Sequence, residues 1–128
     1  MSEQRKPPIG SIGWVDLTVE NAPRVRDFYR QVVGWTSSDV DMGDYADFSM
    51  LDADGAPAAG VCHARGTNAD LPPVWMIYIV VEDVDAAAQR CQAEGGEILV
   101  APKDVGGAGR YCVIRDSAGA VAALYAHT

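Results

Sequence analysis

Basic charge is scarce in this sequence. Ten Lys and Arg stand against eighteen Asp and Glu, a formal net charge of -8, and the ten are scattered without a basic stripe. That excludes the electrostatic footprint a nucleic-acid partner requires. The acidic balance leaves two readings open, plain solubility or a preference for cationic ligands. Cysteine is equally sparse: Cys62, Cys91 and Cys112 make an odd number with no Cys-x-x-Cys spacing. This argues against a disulfide framework and against a structural zinc site. The three read as small buried apolar residues. No stretch reaches the roughly 18 apolar residues of a membrane span, and the polar opening Met1–Pro8 has no apolar signal region. A cytoplasmic protein without a membrane partner is the expectation, with residues 1–9 as a flexible lead-in.

What is present suits one domain. The chain has 128 residues, 48% hydrophobic and 22% charged, which is the balance of a globular protein with a sizeable core. Its centre, Val74-Trp-Met-Ile-Tyr-Ile-Val-Val81, is an apolar run rich in β-branched and aromatic residues behind Pro72-Pro73, and it reads as a buried strand. A helical run from Val84 to Glu94 follows and stops at Gly95-Gly96. The same order occurs earlier. Ile12–Val19 alternates, Asn21 is a good N-cap, Pro23 sits in the first turn, and Val25, Phe28, Tyr29 and Val32 form one apolar stripe before Gly34. At an offset of 76 − 14 = 62, Val19 meets Val81, Glu20 meets Glu82, Asn21 meets Asp83 and Gly34 meets Gly96. Strand, cap, stripe and terminator agreeing at one offset is an internal repeat.

Short strands follow each helix. Tyr45–Leu51 and Ala58–Ala64 flank the turn Asp52-Ala-Asp-Gly55; Arg110–Arg115 and Val121–Ala126 flank Asp116-Ser-Ala-Gly119, after a strand Glu97–Val100. Gly106–Gly109 reads as a hairpin loop or a lid, because a phosphate cradle would need a Lys-Ser/Thr pair entering a helix. The fold class is therefore α+β, with two βαβββ modules in tandem, about 10–65 and about 72–127, inside a single domain of residues 1–128. Helix on one face of each sheet would leave the opposite faces to form a shared cavity.

Trp14-Val-Asp-Leu-Thr-Val with Phe28-Tyr29 and Gly34-Trp35, Trp75 through Val84-Asp85-Ala86, and Arg110 with Asp116-Ser-Ala-Gly119 together resemble the vicinal oxygen chelate superfamily. That superfamily holds the glyoxalases, extradiol dioxygenases and bleomycin-resistance proteins. The resemblance implies the glyoxalase-like fold and a homodimer. It also implies a divalent metal held by His, Glu or Gln on the first and last strands of each module. Transferred to this chain, those positions are Trp14, Met76, Ala123 and Ala59. None is a ligand for a hard or borderline cation. The expectation is therefore no cofactor and no metal site.

Strand alternation sends Trp14, Asp16 and Thr18 of the first strand, and Ala59, Val61 and His63 of the fourth, toward the cavity. From the second module it sends Met76, Tyr78, Val80, Ala123 and Tyr125, and Tyr111 joins them as a further candidate. Trp14, Thr18, Met76, Tyr78, Tyr111 and Tyr125 are the candidate ligand-binding residues, unless they simply plug the space as core. Asp16 is the anomaly, since an interior carboxylate is costly without a partner. It could bind a cationic group, act as a base with His63, or reach solvent. Two functions follow. One is a metal-independent, bleomycin-resistance-like protein that binds a small organic molecule. The other is a glyoxalase-like lyase or dioxygenase-type enzyme with Asp16 and His63 as its catalytic pair.

Overall fold

Two local devices set the first helix. Asn21 accepts the backbone N–H of Arg24 at 3.3 Å, a proline occupies the first turn, and Gly34 closes the end at φ 80. Only a residue without Cβ adopts that left-handed conformation cheaply. In the computed structural model, which describes residues 7–127, the resulting order is β1 (Ile12–Val19), α1 (Ala22–Val33), β2 (Thr36–Asp41), β3 (Ala46–Leu51) and β4 (Pro57–His63). A second set follows: β5 (Trp75–Val80), α2 (Val84–Ala93), β6 (Glu97–Val105), β7 (Gly109–Arg115) and β8 (Val121–His127). These are two βαβββ modules in tandem, as the repeat implied. The lead-in lies outside the described residues for its first six positions.

The chain forms two compact units, Val15–Trp75 and Met76 onward together with the segment up to Trp14. In the first, the strands run β2-β3-β4-β1, and β1 is parallel to β4 with Asp16 opposite Gly60 and Val19 opposite His63. Helix α1 covers one face, burying Ala22 against Phe48, Met50 and Val61 with Val25, Tyr29 and Trp35 around them. Trp75 donates its indole N–H to the Tyr29 hydroxyl at 3.3 Å. The apolar stripe on α1 is narrower than expected: Phe28 and Val32 are 56% and 60% exposed, so Ala22, Val25 and Tyr29 make the contact.

In the second unit the order is β5-β8-β7-β6, with β5 parallel to β8 and Tyr78 opposite Ala123. Helix α2 starts at Asp83, whose carboxylate accepts the N–H of Ala86 at 3.1 Å. It buries Val84, Ala87 and Ala88 against Cys112 and Leu124. The chain ahead of β1 is tied into this unit, with Gly10 N–H donating to Val80 O and Val80 N–H donating to Ser11 O. No helix among the described residues is long and apolar enough to cross a membrane.

The two Asp-x-x-Gly turns are built alike. Asp52 Oδ1 accepts from the N–H groups of Asp54 and Ala56, and Asp116 Oδ1 accepts from those of Ala118 and Ala120 at 2.8 and 3.0 Å. The donation from Ala120, then that from Ala118, holds the Asp116 carboxyl below its ordinary range. Folding thus favours the ionised form. Its stabilisation is present above the unfolded carboxylate value of about 3.9 and is lost as pH falls through the lower folded value. An Asp116→Asn variant should therefore lose thermal stability less steeply than wild type on acidification from about pH 5 to about pH 2. Parallel melting-temperature curves for the two proteins would refute this.

Candidate functional site

Faces are fixed by register, because residues paired across strands share a side. In the first unit, Leu17 pairs with Val61 and Val19 with His63, all on the side of α1, while Asp16 pairs with Gly60 and Thr18 with Cys62 on the side away from it. This corrects the assignment of Ala59, Val61 and His63. The β3–β4 hairpin carries a bulge: Leu51 pairs with Pro57, but Met50 pairs with Ala59, leaving Ala58 as an extra residue. One extra residue reverses every face beyond it. The equivalent β7–β8 hairpin has no such shift, running from Arg115–Val121 to Val113–Ala123. The counterpart of Ala123 is consequently Gly60, not Ala59. Glycine has no side chain to offer a metal, and Trp14, Met76 and Ala123 remain without a donor suited to a divalent cation. The donor set of the superfamily's metal enzymes does not fit these positions.

The helix-free face of the first unit is polar. It carries Asp16, buried Thr18, Ser49 and Cys62, and the buried carboxylate of Asp47 also lies near Cys62. The Cys62 thiol sits beside both carboxylates. Burial above all, and then the negative charges of Asp16 and Asp47, push it far above an ordinary thiol, so it is a hydrogen-bond donor rather than a nucleophile. His63 is held by Asp47. Its ring Nδ1 lies 3.1 Å from Asp47 Oδ1, and the same oxygen accepts the His63 backbone N–H at 2.9 Å. Sequence reasoning missed Asp47. Its only signal was an acidic residue between Ala46 and Phe48 in a strand whose one other polar residue is Ser49.

The helix-free face of the second unit is aromatic. Met76, Tyr78 and Val80 on β5 share it with Ala123 and Tyr125 on β8, and Tyr111 pairs directly with Tyr125. Met76, Tyr111 and Ala123 are buried, Tyr78 and Tyr125 half-buried. Tyr125 donates its hydroxyl to Ala108 O at 3.2 Å, and its ring meets that of His127 at 4.8 Å between centroids. Trp14, half-buried on β1, belongs to this unit.

An open cleft of about 540 Å3 lies at the start of α2, lined by Asp83, Asp85, Arg90, Arg110 and His127 among others. Two of its charges, Arg110 and Asp85, are paired with each other. Arg110 donates to both oxygens of Asp85 at 2.7 and 3.0 Å and to Asp104 at 3.0 Å, which pushes its guanidinium further up and holds Asp85 down. The Arg110 of the sequence signature therefore ties β7 to α2 and β6.

Two βαβββ modules in tandem define the class; the sequence match gives the family. Residues 11–124 match the Glyoxalase/Bleomycin resistance protein/Dioxygenase superfamily, and the chain belongs to it. The anthracycline biosynthesis protein DnrV of Streptomyces peucetius is 34% identical over 131 residues, covering 91% of this chain and 46% of the relative. DauV, an anthracycline biosynthesis protein of Streptomyces sp. (strain C5), is 32% identical with the same coverage. The chain thus spans about half the length of the curated relatives it matches. A methylmalonyl-CoA epimerase of Streptomyces coelicolor, solved with 2-nitronate-propionyl-CoA, superposes at TM-score 0.59 with 16% identity over 94% of this chain and 99% of that one. At that identity the likeness is one of fold.

Proposed function

We infer that this chain binds a small organic molecule without a divalent metal, and that the ligand has an aromatic body. One observation carries the reading: the helix-free face of the second unit presents Met76, Tyr78, Tyr111 and Tyr125, with Met76 standing at a position where the resemblance implies a metal ligand. Such a surface suits an apolar or π-stacked ligand with few oriented polar groups. The net charge of -8 favours a cationic one. The names of DnrV and DauV, which place those proteins in anthracycline biosynthesis, support an aromatic ligand of that kind.

The test is thermal unfolding with daunorubicin, bleomycin and propionyl-CoA. At a ligand concentration of about 100 Kd the stabilisation is about 2.7 kcal/mol, a rise of at least about 5 °C for a domain of this size. The rise should survive dialysis against EDTA and disappear in Tyr78→Ala. No shift with any of the three ligands at millimolar concentration counts against the binding reading. A shift abolished by EDTA counts against its metal independence.

A second reading, an enzyme of the glyoxalase-like or dioxygenase type with His63 as its acid/base group, is favoured by one specific feature. The His63 imidazole is anchored through a buried carboxylate rather than left loose at a strand end.

A further inference from the structure

The geometry points to Asp47 and His63 as a proton-transfer dyad, with His63 Nε2 the reacting nitrogen and Asp47 the positioning residue, acting on a weakly acidic ligand hydroxyl such as a phenol or an enol. This rests on the second reading above and supplies the partner that Asp16 was expected to be.

The argument starts from a single oxygen. Asp47 is 9% exposed, and its Oδ1 takes both the backbone N–H of His63 at 2.9 Å and the ring Nδ1 at 3.1 Å. An ionised carboxylate only accepts, so the proton at this contact belongs to Nδ1. The neutral ring is then the Nδ1–H tautomer, and its lone pair is on Nε2. The backbone bond adds rigidity, because the oxygen that orients the ring is itself fixed to the residue carrying that ring. Tyr45 packs on the imidazole edge-to-face at 5.2 Å between centroids and Phe48 lies at 6.1 Å, so the ring has aromatic walls suited to a phenolic ligand.

Charged groups near the dyad are engaged with other partners. Cys62 places its thiol between Asp47 and Asp16 and stays protonated there. Arg65 lies 3.9 Å over the Tyr45 ring and pairs with Asp44, and Arg26 lies 4.5 Å over Phe48 and pairs with Asp27. Neither cation therefore takes the Asp47 carboxylate away from His63. The step balances within these groups. The ligand O–H bond breaks, its proton goes to Nε2, and its electron pair stays on the ligand oxygen. The imidazolium so formed keeps its Nδ1–H on Asp47, whose negative charge stabilises it. The reverse transfer makes His63 the acid.

Because Oδ1 also holds a backbone N–H, Asp47→Asn should keep its oxygen toward the ring, preserving the tautomer while removing the charge. Asp47→Ala should release both. Long-range 1H–15N NMR of the imidazoles should show the Nδ1–H form of neutral His63 in excess of about tenfold in wild type, Asp16→Asn and Asp47→Asn, but a mixture in Asp47→Ala; tenfold corresponds to about 1.4 kcal/mol. Diethyl pyrocarbonate, which acylates the free imidazole lone pair, should modify His63 about tenfold more slowly in Asp47→Asn than in wild type. His127 in the same sample serves as the internal reference. A purely structural Asp47 would leave that rate unchanged. Predominance of the Nε2–H form in wild type, or equal His63 rates in wild type and Asp47→Asn, overturns the dyad. Should Asp47→Ala fail to fold by circular dichroism, Asp47→Asn decides alone. Neither measurement needs a ligand, so failure of the dyad and failure of the binding reading are distinguishable.

Discussion

Gly109→Val is expected to destabilise the protein by about 3 kcal/mol or more, read as a lowered urea midpoint at unchanged slope. The cause is a close approach, not backbone strain. A Cβ at position 109 would stand 2.5 Å from the Ala126 carbonyl oxygen, 2.7 Å from Tyr125 Oη and 2.8 Å from Tyr125 Cε1. None of these is a free side-chain tip. The carbonyl belongs to β8, which pairs with β7 from Gly109–His127 onward. The tyrosine ring is held by its hydroxyl bond to Ala108 O and by His127. Valine adds two methyl groups beyond the Cβ, so either the β7–β8 ladder opens at its start or Tyr125 swings out. Tyr125 is also a candidate ligand contact, so the variant should weaken any thermal shift that a ligand of the proposed class produces in wild type. Gly109→Ala should show the same direction with a smaller loss. A midpoint within about 0.5 kcal/mol of wild type for Gly109→Val would mean that the ladder yields at no cost, and would sink the argument.

This contact also shows where sequence reading stops. The repeat was legible because its signals are local: a β-rich run, an Asn or Asp cap, an apolar stripe and a glycine, each recognisable within a few residues. Strand β2 was not, since Thr36-Ser-Ser-Asp-Val-Asp41 has one apolar residue in six, lies at an edge against β3 alone and is largely exposed. Nothing in its pattern records a buried face. Strand β6 extends to Val105 rather than Val100, across two register shifts, the second of which contains Pro102. On α1 both Val25–Tyr29 and Phe28–Val32 fit helical spacing, and periodicity does not say which pair meets the sheet; Phe28 and Val32 are exposed.

The candidate site divides in the same way. In the second unit the alternation carried Met76, Tyr78, Val80, Ala123, Tyr125 and Tyr111 to one face, because β7 and β8 pair without interruption after Asp116–Gly119. In the first unit a single bulged residue, Ala58, exchanged the faces of β4, so that register sets Asp16 and His63 on opposite faces. Bulges follow from long-range pairing, so two hairpins with matching Asp-x-x-Gly turns look alike in sequence. The partner that His63 does have, Asp47, is 16 residues away on the neighbouring strand. Only the register of β3 against β4 brings it there.

Met50→Ala should be the second large effect, costing about 2–5 kcal/mol by chemical or thermal unfolding. Met50 is wholly buried, and it packs with Phe48, Val61 and Ala22 under Val19, Val25, Tyr29 and Trp35. Truncation removes the transfer free energy of three heavy atoms beyond Cβ and leaves a cavity that its neighbours fill only in part. Those neighbours are constrained. Val61 is fixed in register with Leu17 and Phe48, Arg26 is stacked on the Phe48 ring, and the main chain next to Met50 is the bulge itself. A rigid surround puts the expected loss in the upper half of the range. Met50→Leu, which keeps most of the volume, should cost less than about 1.5 kcal/mol. A Met50→Ala loss below about 1 kcal/mol would mean that helix α1 settles onto the sheet and closes the gap. The orientation of Phe48 and Asp47 would then follow, so the same variant also reports on His63: its tautomer ratio should hold if the β3–β4 register resists the cavity, and shift toward a mixture if it does not.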